Sequence, residues 1–247
     1  MLFRKKIYQQ ASALVALSPG IAEGILRVVP KKSVHIIPNL ADCRFFVPSP
    51  KPLTLLDQYR LHDKFTISYL GTLGEANHLE YLLEVAQYFQ QRQIRSVHFL
   101  IMGKGKCEDA LRQRAAAWQL ENLSWVGYGN KYQTREILYL SDAVYVSFLP
   151  HPVLESSSPN KFFDALAAGR MCIINLKGWL KDLVETHQCG FYTKPGNPED
   201  FYQKLLPFLQ SPKLCQSYQK NARYLAEQAF ARELMEAKFL AMIQARS

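Results

Sequence analysis

Between Phe65 and Pro195 the chain alternates short apolar runs with longer segments of helical spacing, and this alternation restricts the fold more than any other feature of the sequence. Strands separated by helices of about 10–15 residues indicate βαβ units and a mostly parallel sheet. The apolar runs are continuous, as a sheet covered on both faces requires. We therefore predict an α/β fold: a Rossmann-like, doubly wound, mostly parallel sheet of about six strands with helices on both faces. The predicted strands cover residues 65–71, 96–103, 123–127, 143–149, 171–176 and 190–195.

The segments on either side of this alternation predict three further parts. Residues 4–27 have helical spacing and residues 33–39 form a short β-rich run, so residues 1–47 are expected to hold a helix and a strand of a separate unit. The prolines of VPSPKP favour a linker over residues 48–62. The main domain then covers residues 63–230, and residues 231–247 form a C-terminal helix.

Cysteine and charge content exclude several classes of site and partner. The five cysteines form neither a CxxC pair nor a cluster with histidine, which argues against a disulfide framework and a zinc site. A net charge of +9 permits nucleic acid, an anionic lipid surface or a phosphate-bearing small molecule. The basic residues are scattered and accompany no nucleic-acid-reading motif, so we expect no nucleic acid partner. We also expect neither a cleaved signal peptide nor a membrane-spanning helix.

Four loops that follow predicted strands are the candidate ligand site, because ligands of such folds bind beyond the carboxyl ends of the strands. They read GTLGEANH, GKGK, GYGNKYQ and PHPVLESSSPNK. Gly71 and Gly74 let backbone N–H groups approach an anion, although glycine turns after strands are also common without a ligand. For Lys104 and Lys106 the pattern favours solvent exposure over ligand binding.

The stretch SSSPNKFFDALAAG contains the most informative residues. Ser158 is predicted to cap a helix with Pro159 at its first position. Lys161 then opposes the helix dipole, which is unfavourable unless an anion also binds there. Asp164 lies three residues further on, where a carboxylate can accept hydrogen bonds from sugar hydroxyls. The alternative, with Lys161 in solvent and Asp164 as an ordinary first-turn acid, stays open at this point.

These residues together resemble a known family. The stretches YLGTLGEANHLEYLLEVA, FLIMGKGKCEDAL, LSWVGYG, SDAVYVSFLP, SPNKFFDALAAGRMCIIN and CGFYTKPGNPEDF are similar to the carboxyl-terminal domain of a family-four glycosyltransferase, a double-Rossmann (GT-B) enzyme. LVALSPGIAEGI and VHIIPNLADCRFF resemble the end of the amino-terminal domain, so residues 1–47 would belong to a domain that is otherwise missing. The resemblance implies the donor-binding half of an enzyme that transfers a sugar from a UDP- or GDP-sugar to a polysaccharide or lipid-linked acceptor. It further implies retention of configuration and no metal ion.

The resemblance also implies roles for individual residues. Asp164 would bind the ribose, and Lys161 would bind the diphosphate together with Gly71, Thr72 and Gly74. Gly127 and Tyr128 would contact the base, and the donor-sugar loop would comprise Glu155, Ser156, Ser157, Ser158 and Asn160. The chain departs from the family pattern at Thr72 and Asn77, where the family carries cations, and at Ser156, where it carries an acid. No catalytic residue is assigned.

The nucleotide sugar is a substrate and not a cofactor. Beyond it, the resemblance implies as partner a separate chain with the amino-terminal domain, or a homo-oligomer. It also implies a cytoplasmic protein with peripheral contact at the inner face of the membrane. Activity of this chain alone is left open. The alternative function is a non-catalytic nucleotide-sugar-binding or scaffold subunit; an epimerase of the same architecture is disfavoured because its acidic and histidine constellation is not visible. The donor sugar, acceptor and linkage are not predicted.

Overall fold

The computed structural model describes residues 2–245, which form eight β-strands and twelve α-helices. The strands are β1 (Leu14–Ala16), β2 (Val34–Ile36), β3 (Phe65–Leu70), β4 (Val97–Met102), β5 (Leu123–Gly127), β6 (Ala143–Val146), β7 (Met171–Ile174) and β8 (Gly190–Tyr192). The helices are α1 (Leu2–Gln10), α2 (Pro19–Leu26), α3 (Leu53–Tyr59), α4 (Glu80–Gln91), α5 (Glu108–Ala117), α6 (Lys131–Leu140), α7 (Pro152–Glu155), α8 (Asn160–Ala167), α9 (Trp179–Thr186), α10 (Pro198–Gln210), α11 (Pro212–Leu225) and α12 (Arg232–Gln244). A 3₁₀ turn covers Glu75–Asn77, and a π-helical turn covers Ala226–Phe230.

The main sheet has six parallel strands in the order β5-β4-β3-β6-β7-β8. The chain runs outwards from β3 to β5 and then returns to the opposite side of β3 to form β6. This order confirms the predicted doubly wound α/β sheet. The reversal opens a crevice beyond the carboxyl ends of β3 and β6, the position where ligands bind in folds of this kind.

Two apolar cores cover the two faces of this sheet. One contains buried side chains of α4, α5 and α10, including Phe89, Leu111 and Phe201. The other contains buried side chains of α6, α8, α9 and α11, including Phe162 and Phe163. Every residue of β4 is buried, which agrees with the continuous apolar pattern that predicted the parallel sheet.

Residues 2–37 form a smaller unit around a two-stranded parallel sheet of β1 and β2. Its core consists of Leu14, Ala16, Ala22, Ile25 and Val29, with α2 packed on the strands. The prediction of one helix over residues 4–27 was wrong. The Ser18 side chain accepts a hydrogen bond from the Ile21 backbone N–H (3.1 Å) and so starts a new helix at Pro19, which leaves Leu14–Ala16 to form β1.

The segment after β2 is held against the main domain by backbone and side-chain hydrogen bonds. Ala41 forms a β-bridge with Ala231, and its backbone N–H donates to the carbonyl of Phe230 (2.7 Å). The Arg223 guanidinium donates to the carbonyls of Phe46 (2.7 Å) and Cys43 (3.0 Å). The predicted linker, residues 48–62, contains α3. No helix within residues 2–245 is long and apolar enough to cross a membrane.

The close approach of the loops after β3 and β4 generates the first prediction. A Cβ at Gly103 would lie 1.8 Å from the backbone oxygen of Gly71, and Gly103 has a φ of +155°. We expect Gly103→Ala to lower the free energy of unfolding by more than about 2 kcal/mol. The matched control is Gly24→Ala in α2, where a Cβ meets no atom within 4 Å. There we expect the free energy of unfolding to increase by about 0.5–1 kcal/mol. Urea unfolding followed by circular dichroism measures both, and a Gly103→Ala chain as stable as the wild type would contradict the backbone contact.

Candidate functional site

A cleft of about 1010 Å³ lies beyond the carboxyl ends of β3, β4 and β5 and the amino-terminal end of α8. It is therefore beside the crevice where the strand order reverses. The cleft is lined by Leu70, Gly71, Thr72, Asn77, Met102, Gly103, Lys104, Gly105, Glu108, Tyr128, Gly129, Thr134, Phe148, Asn160, Lys161 and Asp164.

Glycines allow the floor of the cleft to form, because two loops are pressed against each other there. The Leu73 backbone N–H donates to the carbonyl of Lys104 (3.0 Å). A Cβ at Gly105 would lie 2.4 Å from the Leu73 oxygen, and one at Gly71 would lie 3.2 Å from the Lys161 Nζ. The loops after β3 and β4 therefore act as one rigid surface, with exposed backbone facing the cleft.

Lys161 occupies the first turn of α8 and reaches across this surface. Its Nζ donates to the Tyr69 hydroxyl (2.8 Å) and to the Asn77 Oδ1 (3.2 Å), and lies 4.0 Å from the centroid of the Tyr69 ring. Both hydrogen-bond partners are neutral, and no carboxylate among the described residues pairs with it. Burial lowers the pKa of Lys161 to about 7. An ammonium has three N–H donors, so one remains for a ligand.

Asp164 lies one turn further along α8. Burial raises the pKa of Asp164 to about 7, with Lys131 lowering it and Asp42 raising it to smaller extents. Its carboxylate lines both the cleft and a neighbouring groove of about 630 Å³, whose walls include Val15, Leu17 and Phe239. The partly buried Asp164 therefore borders both cavities, and hydroxyl groups of a ligand in the cleft can donate to its carboxylate.

Two lysines of the loop after β4 differ in position. Lys104 lines the cleft with its Nζ 4.2 Å from the centroid of the Tyr128 ring, whereas Lys106 pairs with Glu75 (3.0 Å) at the surface. The sequence pattern favoured solvent for both. It contained no information on the Tyr128 ring, which is contributed by the next loop.

Of the residues predicted for phosphate and base, the structure brings most to the cleft. Gly71, Thr72, Lys161 and Tyr128 line it, and Tyr128 is 69% exposed. Gly74 instead precedes the 3₁₀ turn, outside the lining. Gly127 also lies outside the lining, and its carbonyl accepts a hydrogen bond from Gly103 (2.8 Å).

Of the predicted donor-sugar loop, Asn160 lines the cleft, whereas Glu155, Ser156, Ser157 and Ser158 lie beside it. The Ser156 hydroxyl donates to the Val153 carbonyl (2.7 Å), and the Trp179 indole donates to the Ser157 carbonyl (2.8 Å). These bonds fix the loop against α7 and α9.

The prediction that Ser158 caps α8 was wrong. The helix begins at Asn160 with Pro159 in the N-cap position and without a side-chain cap. The Ser158 hydroxyl instead accepts a hydrogen bond from the Asn39 backbone N–H (3.4 Å), a long-range contact that local sequence does not predict. The first-turn N–H groups of α8 are consequently not capped by a side chain.

Residues 56–224 match the family model described as glycosyl transferases group 1, and the comparison with curated proteins finds no match.

Similar solved structures include the sucrose-phosphate synthase of Thermosynechococcus elongatus, with 18% identity and a TM-score of 0.80 over 100% of this chain and 62% of that one. Anabaena Alr3699/HepE in complex with UDP has 17% identity and a TM-score of 0.79 over 96% of this chain and 65% of that one. A mutant of S. aureus TarM in complex with Fondaparinux, alpha-GlcNAc-glycerol and UDP has 17% identity and a TM-score of 0.76, over 96% of this chain and 45% of that one. The chain thus spans between 45% and 65% of the length of these proteins, and the likeness is one of fold.

The burial of Lys161 generates the second prediction. The folded chain releases this proton near pH 7, whereas the ordinary lysine pKa is 10.5. The buried charge therefore lowers the free energy of unfolding by its full amount below pH 7. This destabilisation decreases as the pH rises from 7 towards 10.5. We expect Lys161→Met to be more stable than the wild type at pH 6 by about 1 kcal/mol, and the difference to shrink towards pH 10.

Urea unfolding at pH 6, 7.5, 9 and 10 measures this difference. Lys106→Met is the matched control, because that side chain is exposed, and its stability should follow the wild type throughout. A Lys161→Met chain that is less stable than the wild type at pH 6 would contradict the view that the buried ammonium destabilises the ligand-free fold.

Proposed function

The chain belongs to the group 1 glycosyltransferases and has the fold of one half of a GT-B enzyme; from this premise we propose that it binds a UDP- or GDP-sugar as the donor-binding half of a glycosyltransferase. The sugar would pass to a polysaccharide or lipid-linked acceptor. The observation that carries the proposal is the largely buried Lys161 ammonium, which points into the cleft with only neutral protein partners.

An anion is the ligand that this arrangement fits best. The remaining N–H of Lys161, the backbone of the loop after β3 and the uncapped first turn of α8 all present positive charge or donors. In sugar transfer the nucleoside diphosphate leaves with developing negative charge, and donors fixed in advance stabilise it. We therefore assign the diphosphate to Lys161, Gly71, Thr72 and nearby Gly74, and we propose that no metal ion is required.

The Asp164 carboxylate fits the ribose of the same ligand. It lines the cleft one turn of α8 away from Lys161. Ribose hydroxyls donating to it would favour its ionised form and bring its raised pKa down. The base would lie on the exposed ring of Tyr128, beside Gly127, since aromatic rings at cleft mouths present a flat apolar face for stacking.

The uracil nucleotide is supported by the structures that resemble this chain, of which one is described as a complex with UDP and another as a complex with UDP-glucose. Guanine stays a second candidate. The transferred sugar would lie near Asn160 and the loop from Glu155 to Ser158, where Ser156 stands in the position of the family's acid. No residue of this chain is assigned to the chemical step, and we propose retention of configuration from the family resemblance alone.

The acceptor would bind beside a surface of exposed apolar side chains around the β1–β2 sheet and α12. The parallel β1–β2 sheet is covered by α2 on one face, and large apolar side chains remain exposed nearby: Val15, Leu17 and Ile36 from this unit and Phe239 from α12. Parallel sheets are normally covered on both faces. We propose that an amino-terminal GT-B domain on a separate chain covers them, with a homo-oligomer as the alternative occupant.

Residues 1–41 also contain six Lys or Arg and a single acid, Glu23. That excess of positive charge supports peripheral contact of the assembled protein, in the cytoplasm, with anionic lipids at the inner face of the membrane. The alternative function, a non-catalytic nucleotide-sugar-binding or scaffold subunit, shares the donor site and differs in lacking transfer after the open surface has been covered.

Calorimetric titration with UDP and GDP tests the donor site. We expect the wild-type chain to bind at least one of them at submillimolar concentration, and Lys161→Met and Asp164→Asn to weaken that binding about tenfold or more. Lys106→Met serves as the control for general loss of positive charge. Absence of binding to both nucleotides at millimolar concentration would refute the donor-site proposal. Wild-type affinity in both variants would refute only the residue assignments.

The open surface is tested on the purified chain. We expect binding of an apolar fluorescent dye, a marked decrease after Val15→Lys with Phe239→Lys, and no change after Tyr224→Lys, a 65% exposed aromatic on α11. Sedimentation should give a monomer. A dimer that the paired substitutions dissociate would instead favour the homo-oligomer, and dye binding that is unaffected by them would refute the proposed surface.

A further inference from the structure

The cleft is lined by a second cation besides Lys161. Of the side chains that line the cleft, Lys104 and Lys161 are basic, and Glu108 and Asp164 are acidic. Glu108 is paired with Arg112 (2.9 Å), so its charge is largely compensated outside the cleft. Lys161 has a single N–H to offer, because Tyr69 and Asn77 take the other two. A diphosphate carries several oxygens that one such donor cannot satisfy.

The backbone of Lys104 is fixed beside the residue that lacks the family's cation. Its carbonyl accepts a hydrogen bond from Leu73 (3.0 Å), the residue directly after Thr72. Gly103 and Gly105 on either side press against the backbone of Gly71 and Leu73. The lysine is therefore attached to the same rigid surface as Thr72, although it belongs to a different strand–helix loop.

The side chain of Lys104 is nevertheless exposed. Its Nζ lies over the Tyr128 ring (4.2 Å to the centroid) and pairs with no carboxylate among residues 2–245. A contact between an exposed ammonium and a neutral ring is weak compared with one to a phosphate. Lys106, only two residues further on, is already engaged by Glu75.

We propose that Lys104 binds the diphosphate of the nucleotide together with Lys161, and that in doing so it leaves one face of the Tyr128 ring free to stack with the base. The proposal rests on the donor site proposed above. In the ligand-free chain the Lys104 ammonium lies over one face of the Tyr128 ring. In the complex the phosphate draws the ammonium away from that face, so that phosphate binding and base stacking use the same movement. Lys104 would thus supply, from the loop after β4, the charge that Thr72 does not.

Titration of nucleoside, monophosphate and diphosphate separates this role from a merely solvated lysine. With whichever of the uracil or guanine series the wild type binds, we expect Lys104→Met to weaken the diphosphate about tenfold and to leave the nucleoside unchanged or slightly tighter. Lys104→Arg should restore diphosphate binding. Lys106→Met is the matched control and should leave all three affinities unchanged.

The outcomes distinguish this inference from the donor site itself. If the wild type binds no diphosphate, both are overturned. If Lys161→Met weakens the diphosphate and Lys104→Met leaves the ratio of diphosphate to nucleoside affinity unchanged, the donor site stands and the role of Lys104 is refuted. Equal losses in Lys104→Met and Lys106→Met would also refute it, because they would reflect overall charge.

Discussion

The site depends on one unfavourable interaction, the burial of the Lys161 ammonium among neutral groups. The surrounding structure is arranged to tolerate it: the Tyr69 hydroxyl accepts from Lys161 and donates onward to the Thr72 carbonyl (2.6 Å), and Gly71 leaves room for the end of the lysine side chain. Desolvation lowers the pKa of this lysine to about 7. A group held at such a cost to stability, in a cleft, is typical of a binding site, because the ligand supplies the missing counter-charge.

Burial destabilises the charged forms of both Lys161 and Asp164. The pKa shifts have opposite directions because the lysine is charged when protonated and the aspartate when deprotonated. Both have a pKa of about 7, lowered for the lysine and raised for the aspartate. Below this pH the lysine is charged and the acid is neutral; above it the acid is charged and the lysine is neutral. Near neutrality the ligand-free cleft therefore shifts its charge readily, and a ligand that bears both phosphate and hydroxyl groups would stabilise the charged form of each residue.

The main sheet could be predicted from the sequence because continuous apolar runs between helices are compatible with few folds besides a parallel sheet. Lys161 and Asp164 could be identified because they are charged residues on a helix that is otherwise mostly apolar. The errors have local causes. β1 is three residues long and lies between helices, so its apolar residues fit a helical period. The Ser158 hydroxyl bonds Asn39, 119 positions away, and no local rule detects such a contact. The place of Lys104 depends on a ring from the neighbouring loop and on two glycines packed against other backbone.

The two cations missing from the family pattern are best understood together with Lys161. Asn77 Oδ1 accepts a hydrogen bond from the Lys161 Nζ (3.2 Å), so a lysine at position 77 would bring two ammonium groups to the same point. Like charges at that separation in a poorly solvated site are strongly unfavourable. Asn77 is therefore a neutral acceptor that is compatible with the Lys161 ammonium beside it, as a cation at the same position would not be. The loop that carries Thr72 and Asn77 has no Lys or Arg between Gly71 and His78, so in the proposed complex the positive charge comes from other segments: Lys161 on α8 and Lys104 on the loop after β4.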